Sequence, residues 1–151
     1  MGTRAGCEYK NRPKYDSKKR YKREYTWTRD IEIRCLRRLE SFPHFPRLLD
    51  SGGDWIKIEW VGNRVTKRSQ LDQLDEIVRI LSRSGIVHRD IIPSNLLFKD
   101  EQLFLVDFGW AIVDGKEPPV KAPEGLAKGF YTYGEWDDAR AAKKVCAMFD
   151  M

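Results

Sequence analysis

Three side chains near the middle of this 151-residue chain could do chemistry together: Asp90, Asn95 and Asp107. They stand in His88-Arg89-Asp90-Ile91-Ile92-Pro93-Ser94-Asn95-Leu96-Leu97 and in Leu103-Phe104-Leu105-Val106-Asp107-Phe108-Gly109. A carboxylate such as Asp90 can orient a hydroxyl and accept its proton. The amide oxygen of Asn95 and the carboxylate of Asp107 are hard donors of the kind Mg²⁺ takes. Phosphoryl transfer from a magnesium nucleotide asks for these groups, and positioning with charge neutralisation carries most of its rate. The residues between them would fold the three onto one site. Leu96-Leu97-Phe98 reads as an outgoing strand, Lys99 to Gln102 as a turn, and Leu103 to Val106 as the returning strand. The bland alternative is a charged turn before a plain hairpin, with Asp90 capping and Asp107 ending a strand. The spacing argues against it: Asn95 falls five residues after Asp90, and Asp107 twelve after Asn95.

Several elements must hold these groups. Ser69 to Ser84 reads as a helix whose buried face is Leu71, Leu74, Ile77, Val78 and Leu81, with Gly85 as its stop. Ser69 followed by Asp72 resembles a capping box at its start. Ile86-Val87 then leads into His88. Earlier, Trp27, Ile31, Cys35 and Leu39 recur every fourth residue, so 26–40 reads as a helix, with Thr28 a candidate N-cap and an end before Pro43. Leu48-Leu49-Asp50, a turn at Ser51 to Asp54, and Trp55 to Gly62 read as a hairpin. Alternation marks Ile56, Ile58 and Trp60 as one face. Cys7 to Lys10 could be a strand, and Asn11-Arg12-Pro13 a turn. After Gly109, Asp114-Gly115 is a turn, and 142–149 reads as an amphipathic helix behind Asp137-Asp138.

Composition sets bounds. The length suits one domain with a core. Hydrophobic residues are 41% and charged residues 34%, as in a soluble globular chain, and no run approaches a membrane span. Three scattered cysteines fit neither a disulfide scaffold nor a zinc site, so reduced thiols and a cytoplasmic setting are expected. Residues 1–40 hold thirteen Lys or Arg against six Asp or Glu, a surplus of seven where the whole chain nets +5. The basic run Lys18 to Arg23 could meet phosphates or an acidic partner. The plainer reading is a solvated loop or one bordering a nucleotide. A nucleic-acid binder is disfavoured, because it would leave the acidic trio idle.

The ordered H-R-D-x-x-x-x-N and D-F-G sequences resemble the catalytic and metal-binding loops of the protein-kinase-like family. Ala122-Pro123-Glu124 matches a third motif, A-P-E, by position. The resemblance implies an α+β fold of two lobes. A small β-rich lobe with one helix would occupy about 1–61, and an abbreviated helical lobe about 62–151, as one minimal domain. It implies ATP and Mg²⁺ as cofactors and a hydroxyl acceptor on a protein or small molecule. Asp90 would be the catalytic aspartate, Arg89 would tie its loop to the surroundings, and Asn95 and Asp107 would hold metal. Glu32 would clamp the lysine that holds the α- and β-phosphates. That lysine is left open between Lys14, favoured on spacing, and Lys10, which ends a strand-like run. Glu59 to Val61 would offer backbone groups to adenine. His88 would stack toward Phe108, with Leu36 in the same spine. Asp137 or Asp138 would bind the catalytic-loop backbone, although both could simply start a helix. A plainer role for Glu32 is surface pairing with Arg29 or Arg37.

The sequence also departs from the family. No glycine-rich phosphate loop is legible around Gly2 and Gly6, and no Ser, Thr or Tyr lies between Gly109 and Ala122. Ile92 stands where Ser/Thr protein kinases usually carry a lysine that stabilises the transferred group. The D-F-G-W-A continuation is similar to compact bacterial or phage relatives. The expected activity is therefore a minimal serine/threonine kinase. The alternatives are a sugar or small-molecule kinase of the same fold and a catalytically dead binding protein.

Overall fold

The computed structural model describes residues 7–11 and 16–150. Cys7–Asn11 (β1) and Asp16–Tyr21 (β2) form an antiparallel hairpin in which Lys10 stands opposite Lys18. Leu48–Ser51 (β3) and Trp55–Glu59 (β4) form a second, and β4 joins β2, giving a four-stranded sheet in the order β1-β2-β4-β3. β2 corrects the expectation of a solvated loop at 18–23. As a strand the run alternates: Lys18 is half-buried, Lys19 buried, Arg20 exposed and Tyr21 buried. Period two sends Lys19 inward opposite Ile56, and Tyr21 with it. The outward charges are met locally, Lys18 lying 4.5 Å from the Trp55 ring centroid and Arg20 pairing with Asp54 at 3.3 Å. The expectation about the glycine loop falls on residues 1–6, outside the described residues.

A 3₁₀ turn at Arg23–Tyr25 leads into Thr26–Arg38 (α1), which packs on β3 and β4. Its buried side carries Thr28, Glu32, Ile33, Cys35 and Leu36. Thr28 is not the cap. It lies inside the helix, and its hydroxyl donates back to the Tyr25 carbonyl at 2.6 Å, the local bond that side-chain hydroxyls make with a preceding turn.

Below this sheet, Asn63–Arg64 (β5), Leu74–Arg83 (α2), Ile86–Val87 (β6), Leu96–Lys99 (β7), Gln102–Leu105 (β8) and Ile112–Val113 (β9) follow in order. β5, β7 and β8 form a three-stranded sheet, and β6 pairs with β9. Lys99 and Gln102 are paired across β7 and β8, so the turn is two residues rather than four. Asp100 and Glu101 both have positive φ, 51° and 63°, the left-handed twist that tight hairpins favour. Gly62 (φ 110°) allows the chain after β4 to cross β7, since a Cβ there would stand 2.1 Å from the Phe98 carbonyl oxygen. α2 begins later than Ser69 suggests. A 3₁₀ turn at Arg68–Leu71 comes first, and Gln70 Oε1 accepts the Thr66 and Lys67 amides at 2.8 and 3.3 Å. Asp138–Phe149 (α3) packs on α2. One apolar core runs from Ile33 and Leu36 on α1 through Phe108 to Ile77, Leu81 and Val145. The architecture is α+β with small antiparallel sheets, compatible with the kinase-like fold expected.

Candidate active site

The loop carrying Asp90 runs from β6 to β7, and its backbone is held from below. Asp138 accepts the His88 amide at 2.7 Å, the Arg89 amide at 3.2 Å and the Tyr131 hydroxyl at 2.6 Å. Its neighbour Asp137 caps α3 instead, accepting the Arg140 amide at 3.1 Å. Of the two aspartates, Asp138 is the one bonded to the loop. Arg89 sits at φ 72°, a conformation a non-glycine residue keeps only when its surroundings fix it. Its Nε donates to the Trp110 carbonyl, and its guanidinium lies 5.2 Å from the Trp136 ring.

His88 splints two parts of the site. Its Nδ1 faces the Asp90 amide, which can only donate, at 3.1 Å, and its Nε2 faces the Val106 carbonyl, which can only accept, at 3.0 Å. Those partners select one neutral tautomer. Burial agrees, pushing the imidazole pKa below its ordinary value. The ring meets Phe108 edge-on at 4.7 Å.

Asn95 closes the loop on itself. Its Nδ2 donates to the Asp90 carbonyl at 2.8 Å and to Asp90 Oδ2 at 3.1 Å. Its own carbonyl accepts the Val106 amide at 3.0 Å. Asp90 and Asn95 are therefore directly bonded, and Asn95 is bonded to the residue before Asp107.

The other half of the site is a buried cluster of charge. Lys19 Nζ lies 2.5 Å from Glu32 Oε1 and 3.1 Å from Asp107 Oδ1. Glu32 also accepts the Tyr21 hydroxyl at 2.6 Å and the Phe108 amide at 2.7 Å. Lys19 is fully buried, Glu32 is 2% exposed and Asp107 3%. The lysine on Glu32 is thus Lys19, which corrects the choice between Lys14 and Lys10. Lys14 lies outside the described residues, and Lys10 belongs to β1, one strand further out than Lys19 on β2. Glu32 is not a surface residue either; Arg29 pairs with Asp30 and with the Gly52 carbonyl.

The chain is similar in sequence to several named protein kinases. The chain is 37% identical over 79 residues to a probable serine/threonine-protein kinase BUD32 homolog of Archaeoglobus fulgidus, covering 50% of this chain and 40% of that protein. It is 34% identical over 106 residues to CBL-interacting protein kinase 29 of Oryza sativa subsp. japonica, 62% of this chain and 24% of the relative. With the MAPK/MAK/MRK overlapping kinase of Homo sapiens it shares 41% identity over 71 residues, 40% of this chain and 17% of the relative. The chain is protein-kinase-like. No family model matches it, and it spans less than half the length of these relatives.

In this kinase-like chain the segment after β4 lies against β7, β8 and the residue before Asp107. Val61 is 2% exposed and packs with Phe104, Val106 and Leu97. Glu59 exchanges two bonds with Arg47: its amide donates to the Arg47 carbonyl at 3.0 Å, and its Oε1 accepts the Arg47 amide at 3.0 Å. The Glu59 carbonyl and the Val61 backbone, the groups expected to meet adenine, lie at the end of β4 and just after it.

Mg²⁺ fits the donor set in one way. Among the described residues no group of three or more His, Cys, Asp or Glu could hold a metal. The Asn95 amide nitrogen is committed to Asp90, so its oxygen is the atom to offer beside the Asp107 carboxylate. One amide oxygen and one carboxylate suit Mg²⁺ when phosphates and water complete its octahedron.

Two side chains that the fold brings to the candidate site escaped the sequence reading. Lys19 was hidden in a run of cations, where the one clue was Tyr21 two positions on, an aromatic on the same strand face. Tyr131 carried no signal at all, because its partners Asp138 and Ile91 are defined only by the fold.

Proposed function

We propose that the chain is a phosphotransferase that uses ATP and Mg²⁺ to phosphorylate a hydroxyl, with protein serine or threonine as the acceptor class. The observation that carries this reading is Lys19 buried between Glu32 and Asp107. A buried lysine with two carboxylates is costly to build and contributes little net stability. It makes sense where a polyphosphate and its cation exchange places with part of the ion pair. In this reading Lys19, steadied by Glu32, neutralises the α- and β-phosphates. Asn95 and Asp107 hold the metal, which bridges phosphate oxygens and offsets their charge. Asp90 orients the acceptor hydroxyl and takes its proton. Arg89 anchors the loop, and the backbone at Glu59 and Val61 meets adenine.

Two features shape the activity. Ile92 is 5% exposed and packs in the core, so no cation acts from that position and transfer should be slow. The basic run offers no continuous cationic face, since Lys19 is buried, and an acidic partner there would meet only Lys18, Arg20, Lys22 and Arg23. We place the protein in the cytoplasm, on its thiols: Cys35 and Cys146 are both free, and no helix among the described residues is long and apolar enough to cross a membrane.

The test is transfer of labelled phosphate from ATP with Mg²⁺ to protein and sugar acceptors, run beside Asp107→Ala. Transfer to protein that vanishes in the variant supports the reading. Transfer to sugar alone reassigns the acceptor. Nucleotide binding without transfer would make the chain a binding protein.

A further inference from the structure

Tyr131 lies outside every motif singled out above, yet its hydroxyl makes two bonds beneath the site. It donates to Asp138 Oδ1 at 2.6 Å and accepts the Ile91 amide at 3.2 Å. Asp138 in turn holds the amides of His88 and Arg89, and the His88 ring holds that of Asp90. All four consecutive amides from His88 to Ile91 are therefore satisfied by three side chains. Tyr131 joins two of those holds, touching both Asp138 and the residue next to Asp90. Its ring is tilted against Trp136 at 5.6 Å, and the Arg89 guanidinium lies 5.2 Å from the same Trp136 ring. Burial and the Asp138 charge push the phenol pKa far above its ordinary value, so Tyr131 keeps its proton and remains a donor.

We propose that Tyr131 is a positioning residue for phosphoryl transfer: its hydroxyl fixes the backbone of 88–91 and so aims the Asp90 carboxylate at the acceptor oxygen. The proposal rests on the phosphotransferase reading. Tyr131 touches no reacting atom. With the hydroxyl gone, the Ile91 amide loses its acceptor and Asp138 loses a donor, while the ring packing stays. Asp90 then loses its fixed direction, and a misplacement near 1 Å costs on the order of 100-fold in rate.

Tyr131→Phe is compared with Tyr133→Phe in the full chain. Tyr133 also packs on Trp136, but its hydroxyl bonds to the Ala122 carbonyl at 3.3 Å, at the start of the A-P-E motif. Steady-state kinetics give kcat and KM, calorimetry gives nucleotide affinity, and mass spectrometry gives amide exchange over 88–92. In Tyr131→Phe, kcat should fall about 10- to 100-fold, with nucleotide affinity unchanged and faster exchange confined to 88–92. Tyr133→Phe should match the wild type in kcat. Unchanged kcat with unchanged exchange in Tyr131→Phe overturns the proposal, as does an equal loss of kcat in both variants. If the wild-type protein transfers no phosphate to any acceptor, the phosphotransferase reading fails on its own. The exchange measurement then decides alone whether Tyr131 holds the loop.

Discussion

The two halves of the site are held by different physics. Above the loop, Lys19, Glu32 and Asp107 are gathered by charge across 13 and 88 residues of sequence. Below it, His88, Arg89, Asp90 and Ile91 are held through their backbone amides by Asp138, Tyr131 and the neutral His88 ring. Side-chain ion pairs can exchange partners when a charged ligand arrives; a set of filled backbone bonds cannot move without leaving a donor unmet. In the proposed reading the upper half takes up the nucleotide, and the lower half stays still while it reacts. Phe108 joins them, since its amide bonds to Glu32 and its ring packs on His88.

The sharpest break of this contrast is at the reacting groups. Asp90→Asn keeps the shape of the loop and removes the proton acceptor. Labelled-phosphate transfer should drop by roughly 10² to 10⁴-fold, with nucleotide binding retained. Asp107→Ala should lose transfer at least as completely and weaken Mg²⁺-dependent nucleotide binding as well. Equal transfer by wild type and Asp90→Asn would remove Asp90 from the chemistry.

Next comes the lysine. Lys19→Met fills similar space but leaves Glu32 and Asp107 as buried carboxylates without their cation. Removing one partner of a buried pair costs about 3–5 kcal/mol, so the melting temperature should fall clearly and transfer should be lost. Lys10→Ala and Lys14→Ala should leave both near the wild-type value. If Lys14→Ala has the larger effect on transfer, the phosphate lysine is not Lys19.

That contrast also explains what could be read from sequence. The motif residues and their hairpin were legible because Asp90, Asn95 and Asp107 lie within eighteen positions, linked by short strands whose pattern is local. Glu32 was legible through the resemblance, one turn before Leu36 on the helix that the 26–40 periodicity marks. Lys19 was not, because alternation in Lys18-Lys19-Arg20-Tyr21 is invisible when hydropathy sees only cations. Only pairing with β4 shows that every second one points into the core. The resemblance reached Asp138 as one of a pair with Asp137 and did not reach Tyr131; both meet the loop across 40 to 50 residues of sequence, a closeness that no local pattern encodes. Thr28 and Ser69 misled because residues suited to capping also tolerate the first helical turn, where a hydroxyl can bond backward.

A smaller effect tests the lower half directly. Asp138→Asn is nearly isosteric, but one oxygen becomes an NH₂ group facing backbone donors. At least one of the three bonds to His88, Arg89 and Tyr131 must fail, for about 1–3 kcal/mol. Chemical denaturation should register that loss, and amide exchange should quicken at 88–91 while Lys19 and Glu32 stay paired. An unchanged denaturation midpoint would show that the loop is held by its own packing.

The smallest expected effect is a pH dependence that belongs to the lower half through His88. Burial holds its folded pKa below the ordinary 6.5. Below that pH the unfolded chain binds a proton that the folded chain refuses, so stability falls as pH falls. The slope is at most about 1.4 kcal/mol per pH unit for one proton. It vanishes above the unfolded value and again below the folded one. His88→Gln removes the titration and is destabilised at every pH, because one amide cannot reproduce both ring bonds. Denaturation of the two proteins at pH 7.5, 6.5 and 5.5 cancels the carboxylates they share. The gap between them should narrow toward pH 5.5 as the wild type loses what the variant never had. Parallel curves would mean that the folded protein accommodates a charged imidazole at 88, and the neutral tautomer that joins Asp90 to Val106 would then not be obligatory.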